Sequence, residues 1–263
     1  MKLVRFKADN KICSGRLEGD TVIELTLGEG EGLFALKRET GRRLPLKDVK
    51  LLAPCVPSKV ICLGLNYRSH AKEVKLELPR KPMIFLKPST AVIGPEETII
   101  YPPQSRRVDY EAELGVVVGR KAYCLNRSEA LDCVIGFTCA NDVTARDKQP
   151  AQGQWTYAKG FDTFCPLGPV IETNIDNPES LKLQGLLNGR IVQEISTADH
   201  VFPVSEIIEF ITGCMTLLPG DVILTGTPAG IGAMEPGDRF EVVIDKIGRL
   251  ANPVKKTDRK FPN

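Results

Sequence analysis

Glu111-Ala112-Glu113 interrupts a strand-like apolar run that resumes at Leu114 and continues to Val118, and Asp142 closes a second such run, Gly136 to Ala140. In a strand, alternate side chains share a face, so Glu111 and Glu113 point one way while Ala112 and Leu114 point the other. Ionised carboxylates that close together inside a sheet repel, and burying them is costly unless they are paired or coordinate a metal. The pattern therefore predicts a bound cation. No His or Cys stands beside the three acids, so the all-oxygen donor set favours Mg2+ or Mn2+, with Ca2+ also fitting, over Zn2+. The bland alternative for the spacing is an acid pair on the solvent face of a half-exposed strand.

With 263 residues and 42% hydrophobic content the chain can bury a full core, as one large domain or a large and a small one. The 35 basic and 33 acidic residues nearly cancel, and no basic stripe interleaves with aromatics, which argues against a nucleic-acid surface. Charges interrupt the opening Met1 to Lys7, and no apolar stretch approaches the ~20 residues of a membrane span. A small-molecule enzyme in the cytoplasm is the expectation. The eight cysteines form no CxxC pair and read as reduced packing residues.

Period-two runs predict strands at Lys2 to Ala8, Ile12 to Glu18 and Thr21 to Leu25, with turns at Asp9-Asn10 and Gly19-Asp20. A polar stretch holding Arg42, Arg43 and Lys47 then leads to Pro54 and Pro57, placing a boundary between a small unit, residues 1–52, and a larger one, residues 53–263. Further strands are expected at Lys59 to Gly64, Met83 to Lys87, Leu114 to Val118, Gly136 to Ala140, Val222 to Thr225 and Arg239 to Ile244. Helical spacing predicts a helix over Ser205 to Leu218 and a short one from a capping Ser128 to Ile135. The 23 glycines and 19 prolines favour turns and strands, so the fold class is mainly β (α+β) with few short helices. The tail from Lys255 to Asn263 is expected to fray.

Only His70 and His200 exist, and no G-x-S-x-G elbow is present, so neither serine hydrolysis nor a two-histidine iron site has support. If Ser69 caps a helix, His70 and Glu73 share a face and form a general-base dyad; the alternative is an incidental surface pair. Arg146, just past Asp142, is a candidate clamp for a substrate carboxylate or the partner of an acid. Lys159 sits among aromatic and small residues in Trp155 to Asp162, where it would offset the carboxylates and stabilise an oxyanion. Leu224 to Gly232 reads as a strand and a glycine-rich loop that lacks P-loop or dinucleotide spacing, a turn allowing backbone to approach a small acid.

Together, Gly64 to Glu73, Ile84 to Pro88, Tyr110 to Gly115, Ala140 to Asp147, Lys159 to Asp162 and Leu224 to Gly232 resemble the fumarylacetoacetate hydrolase family, over about residues 58–254. Residues 1–50 resemble the small β-rich leading domain of prokaryotic members. The resemblance implies a mixed β-roll, a homodimer, Mg2+ or Mn2+ held at Glu111, Glu113 and Asp142, a His70–Glu73 dyad on a mobile lid, and Lys159 completing the catalytic site. It also implies substrate contacts at Arg146, Gln149 and Thr227. Larger fumarylacetoacetases carry a further Asp upstream of the catalytic His; none lies between Cys62 and His70. That points to the smaller acylpyruvase, oxaloacetate decarboxylase and isomerase branch. The expected chemistry is C–C hydrolysis of acylpyruvates or decarboxylation of oxaloacetate through an enolate held at the ion. The alternatives are 2-hydroxyhepta-2,4-diene-1,7-dioate isomerisation or 5-oxopent-3-ene-1,2,5-tricarboxylate decarboxylation in aromatic catabolism, and, in another class, a metal-stabilised binding protein without turnover.

Overall fold

In the computed structural model, residues 1–27, 36–151 and 153–257 are described. β1 (Lys2–Ala8), β2 (Lys11–Glu18), β3 (Thr21–Leu27) and β4 (Leu36–Pro45) form an antiparallel meander, and β5 (Lys50–Leu51) returns to β1. Asp9 and Asn10 take φ of 47° and 60°, which a two-residue hairpin turn demands and these residue types tolerate. The polar stretch around Arg42 and Arg43 is a strand, β4. As an edge strand it needs little apolar content, and its charges pair with the neighbouring strands: Arg42 with Glu24 at 3.2 Å and Glu39 with Arg16 at 2.6 Å.

β6 (Val60–Gly64), α1 (Arg68–Glu73) and β7 (Met83–Lys87) follow, then the short strands β8 (Val92–Ile93), β9 (Ile99–Tyr101) and β10 (Val108–Tyr110). β11 (Ala112–Val118) and β12 (Val134–Asn141) are long, almost wholly buried and antiparallel, with Glu113 opposite Ala140. Next come β13 (Thr144–Ala145), α2 (Thr156–Lys159), β14 (Cys165–Glu172), the hairpin β15 (Lys182–Leu187) and β16 (Arg190–Ser196), α3 (Val204–Thr212), β17 (Val222–Leu224), β18 (Gly232–Met234), β19 (Arg239–Ile244) and β20 (Gly248–Lys256).

The main sheet runs β4-β3-β2-β1-β14-β12-β11-β17-β6-β7, and a second runs β16-β15-β19-β20-β9. A small sheet, β13-β10-β18, closes the end where the acids gather. Parallel pairs (β17 with β6, β20 with β9, β14 with β8) lie among antiparallel ones, so the fold is the mixed, mainly β one expected. The two large sheets meet where β11 and β12 pack against β15, β19 and β20, and Tyr110 of the small sheet stacks on Phe240 of β19 at 4.4 Å between ring centroids. Burial pushes the thiols of Cys55, Cys139 and Cys165 up to about 12, leaving them inert packing groups. Cys124 and Cys214 are exposed and depart from that reading.

Both predicted helices are shorter than their apolar periodicity suggests. α3 ends at Thr212, because Gly213 caps it and the chain beyond turns to pair Leu217 with Ala122 through two backbone hydrogen bonds, 2.9 and 3.0 Å. The Ser128 to Ile135 segment makes only a 3-10 turn, Ala130–Cys133, before β12 begins at Val134. At the other end, Lys255 and Lys256 are not frayed but pair with Ile100 and Tyr101; residues 258–263 lie outside the described residues.

Asp221 joins β17 to the entrance of β6. Buried, it accepts hydrogen bonds from the backbone of Ser58, Lys59 and Leu218 (3.0, 3.2 and 2.8 Å) and from the Ser58 hydroxyl at 2.6 Å, and pairs with the Lys59 ammonium. Burial opposes its ionisation, but these bonds outweigh it and hold its carboxyl below the usual range. A depressed carboxyl stabilises the fold above its unfolded pKa of about 4, and that contribution is lost as pH falls through the folded value. Asp221→Ala is expected to cost about 3 kcal/mol at pH 7, read from the urea midpoint, with the gap to wild type closing on acidification.

Candidate active site

The three acids meet. Each offers a carboxylate oxygen within 4.8 Å of the others, and all three residues are buried. Glu111 falls in the break between β10 and β11, where its N–H donates to the Asn141 side chain at 3.0 Å, and the Asp142 N–H donates to the Glu111 carbonyl at 2.9 Å. Those two bonds lock the end of β12 onto the start of β11 and so place Asp142 beside Glu111 and Glu113.

Counter-charge is arranged unevenly around the trio. Lys159, at the end of α2, reaches Glu111 at 2.8 Å and Asp142 at 2.6 Å, and buried Lys87, at the end of β7, pairs with the other Asp142 oxygen and donates to the Val143 carbonyl at 3.0 Å. Arg146 also pairs with Glu111. Burial would raise the Glu111 carboxyl, yet Lys159 and Arg146 hold it well below the usual range. Burial would likewise depress the Lys159 ammonium, and Asp142 and Glu111 overcome this and raise it. Glu113 differs: its hydrogen bond is from the Gly226 N–H at 2.7 Å, and among the described residues it has no ion pair. Burial, then the charges of Asp142 and Glu111, push its carboxyl well above the ordinary value. Two lysines and an arginine thus supply much of the positive charge that the acid spacing alone assigns to a metal, and the demand that persists is centred on Glu113. A hard divalent cation fits this all-oxygen set and would satisfy Glu113 as no side chain among the described residues does.

Above the acids lies a cavity of about 300 Å³, at the small end of ligand sites, lined on its polar side by His70, Glu111, Arg146, Gln149, Lys159 and Thr227. α1 carries His70, whose Nδ1 lies 3.1 Å from the Glu73 carboxylate; the second Glu73 oxygen accepts from the Gly230 N–H at 2.9 Å. Ser69 is not the cap of this helix. α1 begins after Tyr67, and its Ser69 N–H is taken by the Asp199 carboxylate at 2.9 Å. The glycine-rich loop therefore spends the amides of Gly226 and Gly230 on protein carboxylates. Gly226 itself takes φ of 95°, and a Cβ there would stand 2.9 Å from that of Asn66.

The Arg146 fork is turned inward. Its Nε donates to Asp109 at 2.7 Å, while its terminal nitrogens meet Glu111 and Gln149. Thr227 donates to the Ala112 carbonyl at 3.0 Å and accepts from Gln193 at 2.9 Å. Four contributors escaped sequence reasoning: Lys87, Asp109, Gln193 and Asn66. Gln193 accepts from the Ala112 N–H at 3.0 Å, gripping the peptide between the two glutamates from the other sheet. Asn66 donates to the carbonyls of Thr225 and Phe202 and accepts from the Phe202 N–H, fixing the segment that enters α1.

A family model described as Fumarylacetoacetate (FAA) hydrolase C-terminal matches residues 59–255, and one described as Rv2993c-like, N-terminal matches residues 1–54. Oxaloacetate tautomerase Fahd2a, mitochondrial, of Rattus norvegicus is 41% identical over 87% of this chain and 78% of its own. The crystal structure of 2-hydroxyhepta-2,4-diene-1,7-dioate isomerase from Mycobacterium marinum superposes with a TM-score of 0.89 at 42% identity, covering 98% of this chain and 100% of that one. A maleylpyruvate hydrolase from Sphingobium sp. SYK-6, in complex with manganese (II) ion and pyruvate, gives 0.81 at 29% identity with the same coverage. No helix of the described residues is long and apolar enough to cross a membrane. With a matching family model across residues 59–255 and relatives that follow the chain through both sheets, this protein belongs to the fumarylacetoacetate hydrolase family.

Proposed function

We propose that this protein is a divalent-metal-dependent enzyme that cleaves the C–C bond of a small acylpyruvate-type 2-oxo acid, with Mg2+ or Mn2+ held by Glu111, Glu113 and Asp142. The observation that carries the reading is Glu113, a buried acid without an ion pair among the described residues, grouped with Glu111 of a cavity whose lining also holds His70, paired with Glu73. When bound, the ion would supply Lewis acidity to the substrate's carboxylate and 2-oxo oxygens. His70 is the general base. With Nδ1 turned to Glu73, its Nε2 is free to take a proton from a water that attacks the distal carbonyl. Glu73 fixes the ring and supports the imidazolium that forms. Lys159 faces the cavity as a permanent cation and stabilises negative charge developing on the pyruvyl fragment. The Gln149 carboxamide N–H offers a hydrogen bond that orients the substrate, and the Thr227 hydroxyl, its proton given to Ala112, can only accept one.

A second reading, keto–enol tautomerisation or double-bond isomerisation of a 2-oxo dicarboxylic acid, draws support from what the rat and M. marinum relatives are named for. It uses His70 to move a proton between carbon and oxygen with no attack by water. Assaying the protein with Mg2+ or Mn2+ against acylpyruvates, oxaloacetate and 2-hydroxyhepta-2,4-diene-1,7-dioate separates the two. Release of pyruvate that stops with EDTA is expected; loss of enol absorbance without cleavage would favour the second reading. Metal binding with no turnover on any of them would make it a binding protein.

A further inference from the structure

The cavity has a second side, and it is apolar. Met83 and Trp155 both close over Gly64, where an added Cβ would stand 2.7 Å from the Met83 methyl and 2.9 Å from the Trp155 ring. Trp155 meets Phe85 edge-on at 5.2 Å, and the Phe85 ring lies 5.1 Å from the Lys159 ammonium, so the apolar wall begins where the charged floor ends. Leu63 continues that wall, and Val74 and Leu76, from the segment just after α1, line the cavity although 37% and 57% exposed. Apolar side chains left open to solvent at the mouth of a cavity mark a surface that a ligand covers.

Among the described residues, the only cations on the lining besides His70 are Arg146 and Lys159, and both are anchored at the acid floor rather than along Leu63, Val74, Leu76 and Met83. Lys159 is shared between Glu111 and Asp142, and Arg146 among Asp109, Glu111 and Gln149. A carboxylate at the far end of a substrate would be desolvated against leucine, valine and tryptophan with no basic partner. Resting on the function proposed above, we infer that this site selects 2-oxo acids whose distal group is an uncharged, apolar acyl chain, and discriminates against substrates bearing a second, distal carboxylate. Val74, Leu76, Met83 and Trp155 are its specificity-determining residues.

The test compares kcat/KM for 2,4-dioxooctanoate, which has a butyl tail, with that for maleylpyruvate, on the whole chain loaded with Mg2+ or Mn2+. Wild type is expected to prefer the apolar tail by ~10-fold or more, the scale on which a pocket sorts substrates by apolar contact. Leu76→Arg, at an exposed position that tolerates the change, should narrow or invert that ratio by raising the maleylpyruvate value. Wild-type preference for maleylpyruvate, or a ratio that Leu76→Arg leaves unmoved, overturns the inference while leaving the proposed reaction standing. Absence of turnover on both substrates overturns the proposed reaction and the inference with it.

Discussion

Glu113→Gln is expected to abolish metal-dependent turnover while leaving the protein folded. The carboxylate stands 1% exposed between two other acids, with the Gly226 amide as its hydrogen-bond donor, and Gln keeps the shape and an oxygen to accept that bond. What the substitution removes is the negative charge, which in the proposed function attracts and holds the cation. Metal affinity, measured by calorimetry, should fall by at least ~100-fold, since losses of 10 to 100-fold already follow from removing mere supporting groups around metal ligands. Loss of the ion's Lewis acidity, several kcal/mol of stabilisation, corresponds to a kcat/KM about 10³-fold lower. In EDTA the variant should melt at or above the wild-type temperature, because an acid whose ionised form is disfavoured by burial and by the charges of Asp142 and Glu111 has gone. Wild-type affinity in the variant would mean that Glu113 is no ligand and that its raised carboxyl has another purpose.

His70→Ala should lower kcat by 10² to 10⁴-fold, the usual worth of a positioned general base, with metal affinity within about 2-fold of wild type. The separation follows from the geometry: His70 faces the cavity and touches Glu73, whereas the acid trio is held by Lys159, Lys87 and Gly226. Glu73→Gln should cost less, because the imidazole keeps a hydrogen-bond partner there and loses only the carboxylate charge beside it. Turnover unchanged in His70→Ala would remove this residue from the mechanism.

The strands and the acid trio were legible because short-range rules govern them: continuous apolar runs marked β11 and β12, and the acids interrupted or closed those runs where no solvent face was available. What escaped depended on distant partners or on a signal passed over. Asn188-Gly189 is the strongest sequence mark of a tight hairpin, and its φ angles of 51° and 78° are those such a turn needs, so β15 and β16 were readable. With them Gln193 would have been placed on β16, the strand that ends the second sheet. Lys87 carried the same signature as Lys159, a lysine ending an apolar segment. The length of α3 was not readable from its apolar spacing, since the pairing of Leu217 with Ala122 is what takes the chain out of the helix. Nor was the orientation of Arg146, which depends on Asp109 being turned inward.

The pairing of β1 with β14 gives the leading meander a duty besides its own packing. Lys2 and Leu3 align with Glu172 and Ile171, so the first hairpins act as a cover over one margin of the strand layer that carries β12 and, next to it, the two glutamates. Stripped of that cover, the Ile171–Glu172 end of β14 would present unsatisfied amides and carbonyls to another chain, and the penalty would be self-association. The leading segment is in this sense a built-in guard against polymerisation.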